Sequence, residues 1–341
     1  MPQSVGSSPG TVAAAGEFGL VAAVIARLPQ GAGVLLGPGD DAAVVTAGDG
    51  RVVVTTDLLV ERRHFRRDWS SALDVGHKAA AQNLADVAAM GAVPTALLVG
   101  LAAPPDLPMA WALELTDGLR EECDLVGASV VGGDVTRGDL VVVAVTALGT
   151  LAGREPIRRS GAQVGDVVAV TGRLGWAEAG FAVLTRGFRS PRLLVGAHRR
   201  PEPPYASGPE AADLGATSLV DVSDGLIADL GHVAAASGVG IDLASAAFEV
   251  ADTLRDAGSA LGVDPLRWVL AGGDDHALAA TFPPDTALPA HWRVVGAVVS
   301  SDSETDDSRG DDSRGDTPRG GGRVTVDGVA WEGSGGHVHF E

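Results

Sequence analysis

The chain has 341 residues, 45% of them hydrophobic and 20% charged, with a formal net charge of -19. That length accommodates two domains, and the composition is that of a globular chain rather than a disordered one. The acid excess excludes non-specific nucleic-acid binding, which needs basic surface, and an anionic ligand would need cations between it and the carboxylates.

A single cysteine, Cys123, excludes an intrachain disulfide and a cysteine-rich zinc site. A single lysine, Lys78 in GHKAAAQ, excludes both a Walker A loop and the strand lysine of a protein kinase. MPQSVGSSPG has no basic region before an apolar run, so no signal peptide is expected. The longest uncharged stretch, Val87–Pro105, is interrupted by Gly91, Pro94 and Gly100 and reads as a helix end plus a strand rather than a membrane span. The expected compartment is the cytoplasm.

Residues 1–16 read as a flexible lead. Phe18, Val21, Ile25 and Leu28 recur at helical spacing and predict a helix over Glu17–Leu28. Gly37–Asp41 (GPGDD) is a turn. Val44–Val45 and Val52–Thr56 read as strands, the second ending at Asp57. Asp74–Met90 is a strong helix pattern stopped by Gly91. A strand over Ala96–Leu101, a helix over Trp111–Leu125, a lead from Ser129–Val131 into GGDVTRGD and a strand over Leu140–Leu148 follow. Arg154–Gly161 is polar and makes a domain junction, giving an N-terminal domain over 17–153 and a C-terminal domain over 154–341.

The second half opens with a strand over Val167–Val170 and a helix over Trp176–Thr185. A Pro/Arg-rich stretch covers Ser190–Pro204. The strand Leu219–Val222 runs into DGLIADLGHVAAAS, a helix, and His291–Val299 is another strand. Strands and helices alternate in both halves, so the class is α/β or α+β. Within 301–320, DDSRG, DDSRG and DTPRG form a tandem repeat without a large apolar side chain, expected to be a disordered insertion.

The chemistry concentrates in aspartates at glycine-rich or strand-end positions: Asp40, Asp41, Asp57, Asp86, Asp134, Asp221 and Asp224. Hard carboxylate oxygens in such places suit Mg²⁺ shared with substrate phosphates, and neighbouring glycines let backbone N–H groups approach phosphate oxygens. Plainer readings stand beside this one. GPGDD is also an ordinary turn sequence. Asp224 or Ser223 is also a candidate N-cap of the helix that follows. Asp86, within an apolar helix pattern, also suits a salt bridge to Lys78 or an arginine. HVH near the end lacks a third fixed ligand for a transition metal, no GxSxG nucleophile is present, and Cys123 reads as a packed small hydrophobe.

The ordered set GEFGL, GPGDDAAVV, TTDLLVERRHF, KAAAQNLADVAAMGA, GGDVTRG, RSGAQVGD, VDVSDGLIADLGH, LAGGDDHAL and a terminal HF resembles the thiamine-monophosphate kinase family over nearly the whole chain. That family is related to aminoimidazole ribonucleotide synthetase, selenophosphate synthetase and the hydrogenase-maturation dehydratase. The resemblance implies a two-domain aminoimidazole ribonucleotide synthetase-like fold. Its N-terminal domains pair in a homodimer through a β-barrel interface, with ATP and substrate in a cleft. By motif position it implies Asp41, Thr55, Thr56, Asp57, Asp86, Asp134, Asp221 and Asp224 as ligands of several Mg²⁺ ions. It implies Gly133, Asp134, Arg159 and Ser223 as ATP contacts, and His64, Asp274 and His337 as substrate contacts. Two positions depart from the family pattern. Its GGEDYE is GGDDHA here, with Asp274 one methylene shorter, and its aromatic residue before xHF is His337.

The reaction so implied is ATP-dependent phosphorylation of thiamine monophosphate to thiamine diphosphate, the last step of thiamine diphosphate biosynthesis. The acceptor, a phosphate monoester with a second pKa of about 6, is mostly a dianion at neutral pH. It needs no general base, and no side-chain nucleophile is evident, so direct in-line transfer is expected. Two alternatives stand: another ATP-dependent member of the superfamily, or a nucleotide-binding homologue without catalysis.

Overall fold

The computed structural model describes residues 10–37, 44–301, 323–331 and 336. Asp40 and Asp41, the tandem repeat predicted to be disordered, and His337 with the terminal HVHF segment lie outside the described residues. By its contacts the chain divides into two units, 1–87 with 93–152, and 88–92 with 153–341.

In the first unit, helix α1 spans Val12–Ile25 and so starts before the predicted Glu17. Thr11 sets that start, since its hydroxyl accepts the Ala14 N–H at 3.2 Å. Strands β1 (Val34–Leu36) and β2 (Val44–Val45) form a short antiparallel ladder. β3 (Val53–Val60) passes through Asp57 instead of ending there. Helix α2 (Ala72–Ala89) opens on a reciprocal cap. Asp74 accepts the Ser71 N–H at 2.9 Å, and Ser71 accepts the Asp74 N–H at 3.2 Å. Gly91, with a left-handed φ of 73°, follows its end as predicted.

β4 (Val93–Ala103), α3 (Met109–Asp124), β5 (Ser129–Arg137) and β6 (Val142–Thr150) complete the unit. GGDVTR is strand rather than the loop its glycines suggest. The parallel ladder to β4 carries it, with Gly133 opposite Val99 and Asp134 opposite Gly100. The four long strands form one open sheet in the order β3-β6-β4-β5. One face, through Val143, Val145 and Ala147, is fully covered, and Val87 of α2 presses on Gly149 there. The other face leaves Val54, Leu58 and Leu98 exposed by 60%, 55% and 39%. A smaller cluster of Leu20, Met109, Ala112 and Leu113 joins α1 to α3.

The second unit runs β7 (Val167–Thr171), α4 (Trp176–Thr185), α5 (Arg192–Arg199), α6 (Ser207–Asp213), β8 (Ser218–Val222), α7 (Leu226–Ser237), β9 (Gly240–Leu243), α8 (Asp252–Leu261), α9 (Pro265–Ala271), β10 (Ala277–Phe282), β11 (Arg293–Val299), β12 (Val324–Val326) and β13 (Val329–Ala330). Its sheet has the order β13-β12-β9-β11-β7-β10-β8. α5 lies inside the Pro/Arg-rich stretch and buries Leu194, Val195 and His198 at helical spacing. Every side chain of β8 and β10 is buried, so neither shows the alternation of a half-exposed strand. The core holds Leu219, Leu278 and Phe282, with Trp292 edge-on to Phe282 at 5.3 Å between centroids. Both units mix helices with sheet, which is the α/β (α+β) class.

Candidate active site

Strand alternation sorts the first group of predicted residues. Thr55 and Asp57 lie on the α2 face of β3, and Thr56 lies on the other. The Thr55 hydroxyl donates to Asp86 Oδ2 at 2.8 Å, so β3 and α2 hold these two predicted ligands together. Asp57 is anchored through its main chain, its N–H donating to Asn83 Oδ1 at 3.0 Å. Asn83 is fully buried and donates to the Ala79 carbonyl at 2.9 Å, so it serves both the open edge of β3 and its own helix. In the sequence Asn83 is marked only as an amide within the apolar run of α2. The Thr56 hydroxyl instead donates to the Val145 carbonyl at 2.9 Å and accepts from Thr146 at 3.1 Å. The structure therefore separates the Thr56 side chain from those of Thr55 and Asp57.

Gly133 and Asp134 stand on β5. A Cβ at Gly133 would lie 1.9 Å from the Val99 carbonyl oxygen, so the parallel ladder requires glycine there. The exposed Asp134 carboxylate has no cation or hydrogen-bond donor among the described residues. His64 closes a tight turn after β3, its Nδ1 accepting the Val60 N–H at 2.9 Å. That bond places the ring proton of the neutral imidazole on Nε2. Lys78, 2% exposed, donates to the His64 carbonyl at 3.5 Å.

In the second unit the group lies around the ends of β8, α7 and β10. Neither Ser223 nor Asp224 caps α7 with its side chain. The N-cap is Gly225, and Asp229 reaches back from the first turn instead. Its Oδ2 accepts the N–H groups of Ser223, Asp224 and Gly225 at 3.0, 3.1 and 3.0 Å. Burial, then the charge of nearby Asp221, pushes the Asp229 carboxyl up to about 7. The Asp224 carboxylate is left without a cation or hydrogen-bond donor among the described residues.

Asp221, 4% exposed, accepts from His276 Nδ1 at 3.1 Å. The Gly272–His276 loop is tied to β8, with Asp274 N–H donating to Ser223 O at 2.8 Å and His276 N–H to Val222 O at 3.0 Å. Asp274 and His276 both have left-handed backbone, φ 67° and 52°. Between them Asp275 points inward and accepts the Ala177 N–H at the start of α4 at 2.8 Å. Its other oxygen is buried without a partner among the described residues, and burial pushes the carboxyl up to about 7. Glu178, raised by burial and by Asp274, is a further acid beside a predicted substrate contact. Arg159 is exposed, its carbonyl accepting from Ser237. Beside it a hollow of about 370 Å³ is lined by Arg154, Arg158, Ser160 and Gly161.

Cys123 is buried, and burial pushes its thiol well up, which removes it as a nucleophile. Among the described residues no three His, Cys, Asp or Glu side chains cluster closely enough to enclose a metal ion. The predicted donors are nonetheless all oxygen. Asp134 and Asp224, without a cation or hydrogen-bond donor among the described residues, suit a hard cation such as Mg²⁺.

Residues 39–151 match the family described as AIR synthase related protein, N-terminal domain. The thiamine-monophosphate kinase of Mycobacterium tuberculosis is 48% identical over 326 residues, covering 95% of this chain and 92% of that protein. The chain belongs to the thiamine-monophosphate kinase family. Among solved structures, the thiamine-monophosphate kinase of Stenotrophomonas maltophilia superposes with a TM-score of 0.75 at 31% identity, over 92% of this chain and 96% of that one. AaThiL, complexed with AMPPCP and TMP, gives 0.73 at 27% identity, over 94% and 96%. Among the described residues no helix is long and apolar enough to cross a membrane.

Proposed function

We propose that the chain transfers the γ-phosphoryl group of ATP directly to thiamine monophosphate, forming thiamine diphosphate. The observation that carries this reading is the 48% identity, over 95% of the chain, to a thiamine-monophosphate kinase. Supporting it, a solved relative binds the ATP analogue AMPPCP together with TMP. In this reading Asp57, Asp86, Asp134, Asp221 and Asp224, with Asp41 and the Thr55 and Thr56 positions, hold Mg²⁺. Bound Mg²⁺ would supply the positive charge that lets two phosphate dianions approach. Gly133, Arg159 and Ser223 contact ATP. His64, Asp274 and His337 contact the acceptor, whose phosphate is its own nucleophile.

The homodimer belongs to the same proposal. The exposed apolar face of Val54, Leu58 and Leu98 suits burial against a second copy, which would extend the open sheet into a barrel. A cytoplasmic setting agrees with the single, buried cysteine. The test is turnover of ATP and thiamine monophosphate, with thiamine diphosphate separated and quantified, before and after EDTA. Production that EDTA stops and Mg²⁺ restores is expected. No thiamine diphosphate with both substrates and Mg²⁺ present would overturn the reading.

A further inference from the structure

We infer that His276 is a positioning residue for the Asp221 carboxylate, fixing one of its oxygens so that the other is held ready for a cation. The inference rests on the reading of Asp221 as a metal ligand and adds a role for a residue outside that ligand set.

Asp221 sits on a strand whose side chains are all buried and is itself 4% exposed. A carboxylate there needs a partner to keep its charge and its orientation. The neighbouring carboxylate, Asp229, takes three main-chain N–H groups at the start of α7. Asp221 takes an imidazole instead, His276 Nδ1 lying 3.1 Å from Oδ2. Facing an ionised carboxylate, Nδ1 carries the proton and donates it.

The placement of the ring is built into the loop. β8 and β10 pair antiparallel with Leu278 opposite Asp221, so His276, two residues before Leu278, is the diagonal neighbour of Asp221. The His276 N–H is tied to Val222, and its φ of 52° is unusual for a residue other than glycine. Such backbone costs free energy and persists where the surroundings enforce it. The inward Asp275, bonded to the start of α4, and the Asp274–Ser223 main-chain bond are those surroundings. At this position the family pattern GGEDYE has tyrosine, and this chain has histidine. Hydrogen-bond partners of metal-ligating groups typically change metal affinity by about 10–100-fold when removed.

The experiment uses the full chain and Mn²⁺ as probe, its binding measured by electron paramagnetic resonance with AMPPCP present, alongside the Mg²⁺ concentration giving half-maximal velocity. His276→Phe keeps a ring and removes the donor. It should weaken Mn²⁺ binding and raise the half-saturating Mg²⁺ by about 10-fold or more, with kcat at saturating Mg²⁺ close to wild type. His276→Asn, which tolerates left-handed backbone and keeps a donor, should recover part of the loss. A folded His276→Phe with wild-type Mn²⁺ affinity, while Asp221→Asn loses it, overturns the role of His276 and leaves the Asp221 reading standing. Wild-type Mn²⁺ affinity in Asp221→Asn overturns both. Should His276→Phe not fold, ¹⁵N spectra of the wild-type histidine rings decide. A protonated Nδ1 on His276 is the expected result, and a bare Nδ1 with the proton on Nε2 overturns the inference.

Discussion

Asp229 accepts the main-chain N–H of Asp224 at 3.1 Å, so the residue that follows the strand is held by its backbone while its own carboxylate stays unengaged among the described residues. Capping of α7 and the proposed cation binding are thereby divided between two aspartates five positions apart. Asp229→Ala strands three N–H groups and should destabilise the fold by about 1–3 kcal/mol in urea denaturation. Asp224→Ala should change stability by about 0.5 kcal/mol or less and reduce turnover to near background. The reverse pattern would return the cap to Asp224.

Asp229 and Asp275 set a pH dependence of stability. Both carboxyls are pushed up to about 7 in the fold, chiefly by burial, against an ordinary value of about 3.9 in an unfolded chain. Each holds a proton in the native state that the unfolded chain releases. The resulting contribution is complete below about pH 4 and is lost as pH rises through about 7, with a slope of about 1.4 kcal/mol per pH unit for each group. Asp275→Asn keeps the acceptor for Ala177 and has nothing to ionise. Its urea midpoint in EDTA should fall less steeply than wild type between pH 4 and pH 7. Parallel profiles would place the titration elsewhere.

The β4–β5 ladder separates a structural residue from a chemical one at adjacent positions. Gly133→Ala puts a methyl against the Val99 carbonyl, 1.9 Å from its oxygen before relaxation, and should cost about 1–3 kcal/mol of stability. Asp134→Asn removes charge from a carboxylate with no partner among the described residues. It should melt like wild type and fail to turn over. Near-wild-type kcat in Asp134→Asn would remove that residue from the proposed site.

Leu58 is 55% exposed on the open face of the first unit's sheet. A charge there would oppose burial of that face against a second copy. Leu58→Glu should shift the protein from dimer to monomer in sedimentation equilibrium, with the circular dichroism of the monomer native. A wild-type protein that sediments as a monomer, or an unchanged dimer in the variant, would assign the face to something else.

The sequence by itself determined the strongly amphipathic and capped elements. α2, α3 and α4 are legible because their apolar spacing is local, and Gly91 ends its helix where left-handed backbone is needed. The ordered motifs likewise determined the family, since each is a short run of residues read without knowing its neighbours in space. β10 shows the boundary: a strand buried on both sides has no alternation to detect, and β8, buried likewise, is legible from the helix pattern it runs into. Only tertiary structure decided which aspartates are spent on the fold. Asp221, Asp224, Asp229, Asp274 and Asp275 all lie around the end of β8, and composition treats all of them alike. Burial and the left-handed turn through Asp274 and His276 gave Asp229 and Asp275 to helix starts and left Asp224 unengaged among the described residues. Those assignments depend on contacts between residues 55 positions apart, such as His276 and Asp221, and no local pattern encodes them.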